Sequence, residues 1–116
     1  MAEPAVAKRF ALTVDVDKKV PVVRCSGRLV AGDTDRFYNE LKQLMSMYKE
    51  IDVDFAEVPH LDSSGLGTLA RLYVHAKSVG CVVEIVNIGK SVRSLLGITH
   101  MLQVFQTVGE NGIRMG

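Results

Sequence analysis

Ile51-Asp52-Val53-Asp54-Phe55 is followed, after a short gap, by Leu61-Asp62-Ser63-Ser64-Gly65-Leu66-Gly67. In the first run, β-branched and aromatic residues alternate with acids, the pattern of a strand with one buried side. The second run is polar where it begins and apolar at helical spacing beyond, with Leu66, Leu69, Ala70, Tyr73 and Ala76 on one stripe up to Val79. Strand, loop and helix in this order form the unit from which α/β sheets are built. The junction holds an acid, two hydroxyls and two glycines, so polar chemistry is concentrated at the expected start of a helix.

Working back toward the N-terminus, Phe37, Leu41, Leu44, Met45 and Tyr48 recur at helical spacing. Asp33 or Thr34 can cap that helix, and Asp35 suits its positive end. Residues 10–17 alternate, with Leu12, Val14 and Val16 opposite Thr13, Asp15 and Asp17. Residues 20–26 read as a second strand, joined to the first by a link short enough for an antiparallel hairpin. Toward the C-terminus, Gly80 is placed to stop the long helix. Residues 81–86 are apolar except for Glu84, as expected of a central strand. Val92, Leu95 and Leu96 predict a short helix stopped by Gly97, and residues 102–107 a last short strand.

The expected order is β-β-α-β-α-β-α-β, an α/β fold with a mixed, mostly parallel sheet and helices packed on it. The expected organisation is an N-terminal tail over residues 1–9, one domain over 10–109 and a loose, glycine-rich tail over 110–116.

At 116 residues and 47% hydrophobic content the chain can build one core. The formal net charge of +1 advertises neither nucleic acid nor an anionic membrane as a direct partner. No apolar stretch approaches the roughly 20 residues of a membrane span, and residues 1–9 lack the apolar centre of a signal peptide. A cytoplasmic location is therefore expected. Cys25 and Cys81 sit in apolar runs without a CxxC and are expected to be buried, reduced thiols. His60, His75 and His100 are scattered, so no metal and no cofactor are expected.

At the central junction Asp62, Ser63 and Ser64 are candidate helix caps, which is what such residues most often do there. Gly65 and Gly67 are poor helix formers, and their presence points to something approaching the backbone closely, another element or a partner. The order is not a phosphate loop, and it is not the G-x-S-x-G of a nucleophile elbow. Nothing in the spacing activates either serine, and an enzyme is not expected.

The run Leu61-Asp62-Ser63-Ser64-Gly65-Leu66-Gly67, in this order of elements, resembles the STAS domains of bacterial anti-sigma-factor antagonists. Ser26-Gly27 ending the hairpin, and Ser91-Val92-Arg93-Ser94-Leu95-Leu96 followed by Gly97-Ile98, extend the resemblance over nearly the whole chain. The resemblance implies a non-catalytic binding module with Ser63 as the site of phosphorylation. The partner would be a serine kinase that is also an anti-sigma factor, and a phosphatase would reset the switch. It also implies a partner face made of Asp62, Ser63, Ser64, Gly65, Leu66 and Gly67, with Arg28 and Asp33 from the loop after the second strand. In that loop Gly27-Arg28-Leu29-Val30 stands where the family often carries acids, which leaves the partner open.

On this reading Ser64 serves as the cap, Ser63 is modified, and the two glycines keep the surface flat. A phosphate on Ser63 would be favoured by the N–H groups of the helix start. The competing reading is a scaffold or adaptor STAS domain of a stressosome-like or lipid-transport complex. The oligomeric state is not specified by either.

Overall fold

The computed structural model describes residues 9–17, 19–103, 105–109 and 111–115. Six strands and three α-helices follow in the order β1 (Ala11–Asp15), β2 (Val22–Ser26), α1 (Thr34–Met45), β3 (Glu50–Glu57), α2 (Ser63–Val79), β4 (Val82–Val86), α3 (Lys90–Ile98), β5 (Gln106–Val108) and β6 (Gly112–Met115). A short 3-10 turn, Met101–Gln103, precedes β5. The strands form one sheet in the order β1-β2-β3-β4-β6-β5. Strands β2, β3 and β4 run parallel in its middle. Antiparallel pairings flank them: β1 on β2, β6 on β4, and β5 on β6. The mixed α/β sheet expected from the sequence is thus the one observed.

The last segment differs from expectation. Residues 110–116 were expected to be a loose tail, but Gly112–Met115 is inserted between β4 and β5, with Ile113 and Met115 fully buried. The reason is register. Ile85 pairs with Ile113 and Val83 with Met115, which puts both side chains on the core side, with Arg114 on the other. Four residues beside glycines are too short to display that alternation in sequence. Helix α3 also runs one residue beyond the expected stop, through Gly97 to Ile98.

Both β-α-β crossovers move along the sheet in the same direction, and right-handed connections then place α1 and α2 on the same side. Burial agrees. Val23, Cys25, Ile51, Val53, Phe55, Val83 and Ile85 are buried, while their sequence neighbours Arg24, Asp52, Asp54 and Glu84 face away. Helix α1 adds Phe37, Leu41 and Leu44, and Phe37 packs edge-on against Phe10 at 5.6 Å between ring centroids. The buried stripe of α2 is Gly65, Thr68, Leu69, Leu72 and Ala76, so it is rotated from the one read in the sequence: Leu66, Ala70 and Tyr73 are only half-buried. Gly80 ends α2 in the left-handed conformation at φ 70, as expected. Both cysteines are free and buried. Burial, with the Asp54 charge beside it, pushes the Cys25 thiol up to about 12.

On the helix-free side of the sheet Asp52 lies directly opposite Glu84, which is held by Arg114 at 2.8 Å. Partial burial, then the charges of Glu84 and Glu50, push the Asp52 carboxyl above its ordinary range. A carboxyl raised in the folded state stabilises the fold at low pH and loses that contribution as pH rises through its folded value. Asp52→Asn should therefore raise the unfolding free energy at pH 7 by about 0.5 kcal/mol, the scale of a like-charge cross-strand pair. The gain should shrink as pH falls below the carboxylate range, as read by urea denaturation at each pH.

Candidate functional site

The site is built where β3 hands over to α2. Val58 and Leu61 are buried and anchor the intervening loop to the core. Leu61 forms a parallel bridge with Leu29 of the loop between β2 and α1. The Leu29 N–H donates to His60 O at 3.3 Å, and the Asp62 N–H donates to Leu29 O at 3.4 Å. The bridge extends the β2–β3 pairing beyond the strands and brings two loops side by side.

Asp62 is the N-cap of α2, in extended conformation at φ −99 and ψ −170. Its Oδ1 accepts the Gly65 N–H at 2.9 Å, and its backbone carbonyl accepts the Leu66 N–H at 2.9 Å. Its Oδ2 reaches across to accept the Ala31 N–H at 3.2 Å. One carboxylate thus closes the helix start and holds the neighbouring loop. The Gly65 N–H is the main cause that keeps the Asp62 carboxyl below its ordinary value. Partial desolvation opposes it, and the amides of Ala31, Ser64 and Asp62 itself add to it. The cap is therefore Asp62 rather than Ser64, whose carbonyl instead accepts the buried Thr68 hydroxyl at 2.8 Å.

Ser63 is the first residue of α2 and is exposed; Ser64, next to it, is half-buried. With Asp62 on the amides of Gly65 and Ala31, a phosphate on Ser63 would not enter an empty N–H cradle. It would stand outward beside a carboxylate. The same commitment removes Asp62 as a base for the Ser63 hydroxyl.

The two glycines do different things. A Cβ on Gly65 would lie 2.5 Å from Leu29 O and 2.9 Å from the Leu61 Cβ. Gly65 is buried, so the close approach is to the chain's own loop, and its expected place on a partner face is corrected. Gly67 is exposed, with nothing within 4 Å of an added Cβ, and does leave the surface flat. Leu66 is half-buried at the rim.

Arg28 is exposed and lies next to the Leu29 bridge, on the same end of the sheet as Ser63. Asp33 begins α1 without a side-chain cap bond and pairs instead with Arg36 at 3.8 Å. The roles of Leu29 and Ala31 had no signal in the sequence, because both act through backbone groups.

Among the described residues no cluster of His, Cys, Asp and Glu could hold a metal ion, and no helix is long and apolar enough to cross a membrane. The widest groove lies away from Ser63, between α1 and α2, with about 400 Å³ lined by Tyr38, Arg71, Val74 and their neighbours. Arg71 stacks over the Tyr38 ring at 4.1 Å there and pairs with Asp35 at 3.8 Å.

Fold and site together define a small α/β domain that presents a serine on a rigid, open helix start. The chain belongs to the STAS domain family, which matches residues 11–111. An anti-sigma factor antagonist from Mycobacterium paratuberculosis is similar in structure, with 19% identity, TM-score 0.74, and 88% of this chain and 87% of that one covered. The anti-sigma factor antagonist SpoIIAA in its unphosphorylated form is similar at 17% identity and TM-score 0.66, covering 78% and 82%. The phosphorylated form of the Bacillus SpoIIAA gives 17% identity and TM-score 0.62, covering 77% and 83%. At these identities the likeness is one of fold.

Gly65→Ala should cost about 1–3 kcal/mol of stability through overpacking. Gly67→Ala should be neutral or stabilising by up to about 1 kcal/mol, since helix propensity alone changes. Thermal and urea unfolding of the pair measures both. Asp62→Asn should lose about 1 kcal/mol at pH 7. A carboxyl lowered in the folded state stabilises above its unfolded value and loses that contribution as pH falls through the folded one. The gap between wild type and Asp62→Asn should therefore hold at neutral pH and close progressively below pH 3.8, the ordinary value.

Proposed function

We propose that this protein is an anti-sigma-factor antagonist controlled by phosphorylation of Ser63. Unmodified, it binds a protein that is both serine kinase and anti-sigma factor, which releases a sigma factor. Phosphorylation ends that binding, and a phosphatase restores it. Such a protein works in the cytoplasm, as a partner of other proteins rather than an enzyme.

The observation that carries this reading is the pairing of an exposed Ser63 with an Asp62 already locked onto backbone amides. The kinase supplies ATP and the base. The Ser63 Oγ attacks the γ-phosphorus, an O–P bond forms, the bond to the leaving ADP breaks, and the hydroxyl proton passes to the base. The product carries about −1.5 to −2 charges at neutral pH. Beside the Asp62 carboxylate this concentrates negative charge on an exposed spot that was neutral at Ser63. A partner surface fitted to a hydroxyl and to the flat backbone at Gly67 then meets repulsion and loses hydration. A loss of about 3 kcal/mol weakens binding more than a hundredfold. The fold need not change, because the modified oxygen takes part in none of the contacts that hold α2 to the neighbouring loop. Membership of the STAS family and the phosphorylated form known for SpoIIAA support the reading.

Incubation with ATP and the cognate kinase, sought first among neighbouring genes for a histidine-kinase-like ATPase, should add one phosphate by intact mass. Peptide mapping should place it on Ser63. Ser63→Ala should take none, and Ser64→Ala should still be modified. A phosphate mapped to Ser64, or modification undiminished in Ser63→Ala, would count against the proposal.

A further inference from the structure

Strands β2, β3 and β4 are adjacent and parallel, so the segments that follow them emerge on one end of the sheet. Neighbouring strands lie about 4.8 Å apart, which places the first and last of these segments about 10 Å apart. They carry Arg28 after β2, His60 and Ser63 after β3, and Lys90 after β4, all exposed. The acids of this end are engaged or turned elsewhere. Asp62 accepts from Gly65 and Ala31. Asp33 pairs with Arg36. Asp54 accepts from Asn87 and Ala56. Glu57 lines a recess with Arg24 and Ser26. The surface from Arg28 to Lys90 is therefore basic, although the whole chain is close to neutral at +1.

Beside Ser63 this surface also has an apolar recess. His60, Leu61, Ser91, Ser94, Leu95 and Ile98 line about 220 Å³ between the start of α2 and the outer side of α3. Ile98 is 76% exposed there, although it is a large aliphatic residue on an amphipathic helix. The recess is smaller than the roughly 300–1,000 Å³ of a small-molecule site, and its size suits one inserted side chain. Isolated exposed aliphatics are ordinary. One beside a recess and ringed by cations has the layout of an interface, an apolar centre within a charged rim.

We propose that the docking surface around Ser63 continues over His60 onto α3, and that it takes an acidic protein surface whose one apolar side chain enters the recess beside Ile98. This rests on the reading of Ser63 as part of a partner face. It adds the sign of the partner's charge and a second anchor. A phosphate on Ser63 then acts twice: it repels the partner's acids and neutralises the basic rim that attracts them. A protein fits better than a nucleic acid, because the cations surround an apolar recess rather than form a stripe, and the net charge is small.

The test is site-specific photocrosslinking in lysate of the source cells. Benzoylphenylalanine is placed at Ser63, at Ile98, or at Val79, which is 48% exposed at the far end of α2. The same protein should be linked from Ser63 and Ile98 but not from Val79. Linking from Ile98 should fall roughly threefold for each of Arg28→Glu and Lys90→Glu, the weight of an exposed charge pair. It should also fall between 0.05 and 0.5 M salt, as expected at about those ionic strengths from screening. With the probe at Ser63, Ile98→Asp should lower the yield while the far-ultraviolet dichroism stays that of wild type. Linking from Ser63 with none from Ile98 overturns the α3 extension and leaves the proposed function standing. Linking from Ile98 that ignores salt and both charge reversals overturns the acidic partner. RNA or lipid linked at Ile98 overturns the protein partner. No linking from either position overturns the extension together with the partner face at Ser63 on which it rests.

Discussion

The Asp62 carboxylate is the contact on which the arrangement depends. One oxygen closes the start of α2 through Gly65, and the other holds Ala31 in the loop after β2. A side chain that only capped its helix would leave that loop free to move relative to Ser63. The second bond makes loop and helix one unit, backed by the Leu29–Leu61 bridge and by the absence of a side chain on Gly65. Because the carboxylate is already satisfied by backbone N–H groups, Ser63 is left neutral, exposed and fixed in position. Those are the properties that a modification site read by a rigid partner requires.

The sheet places this unit. Three parallel strands aim their C-terminal ends at one side of the molecule, where crevices and loop ends gather in open α/β sheets. The helices cover one side of the sheet and leave the other to Arg24, Asp52, Glu84 and Arg114, which pair among themselves. The two β-hairpins flank the parallel core and carry no part of the Asp62 unit, although Arg28 and Leu29 follow directly from β2. Charge at Ser63 can therefore change what the domain binds without having to change how it folds.

Much of this was legible in the sequence because the signals were local. Alternation marked β3, helical spacing marked α1 and α2, and the Asp-Ser-Ser-Gly-Leu-Gly run located the site and its family. What escaped depended on distant partners. Strand β6 is recognisable only once Ile113 and Met115 are seen opposite Ile85 and Val83. Asp62 could be told from Ser64 as the cap only from the loop it also holds. Gly65 and Gly67 look alike in sequence, yet one meets Leu29 O and the other meets solvent. The rotation of the buried stripe on α2 toward Leu72 has the same origin, since α2 packs between α1 and the sheet rather than on one flat surface.

The central claim is that charge at position 63, rather than size or a change of shape, decides whether the partner is held. It is tested most directly by measuring the partner's affinity for Ser63→Asp and Ser63→Asn side by side at low and high salt. The two side chains are nearly the same size. The account predicts that Ser63→Asn binds within a few-fold of wild type and Ser63→Asp far more weakly, with the difference narrowing as salt is raised. Equal affinities for the two, whether both strong or both weak, would contradict it.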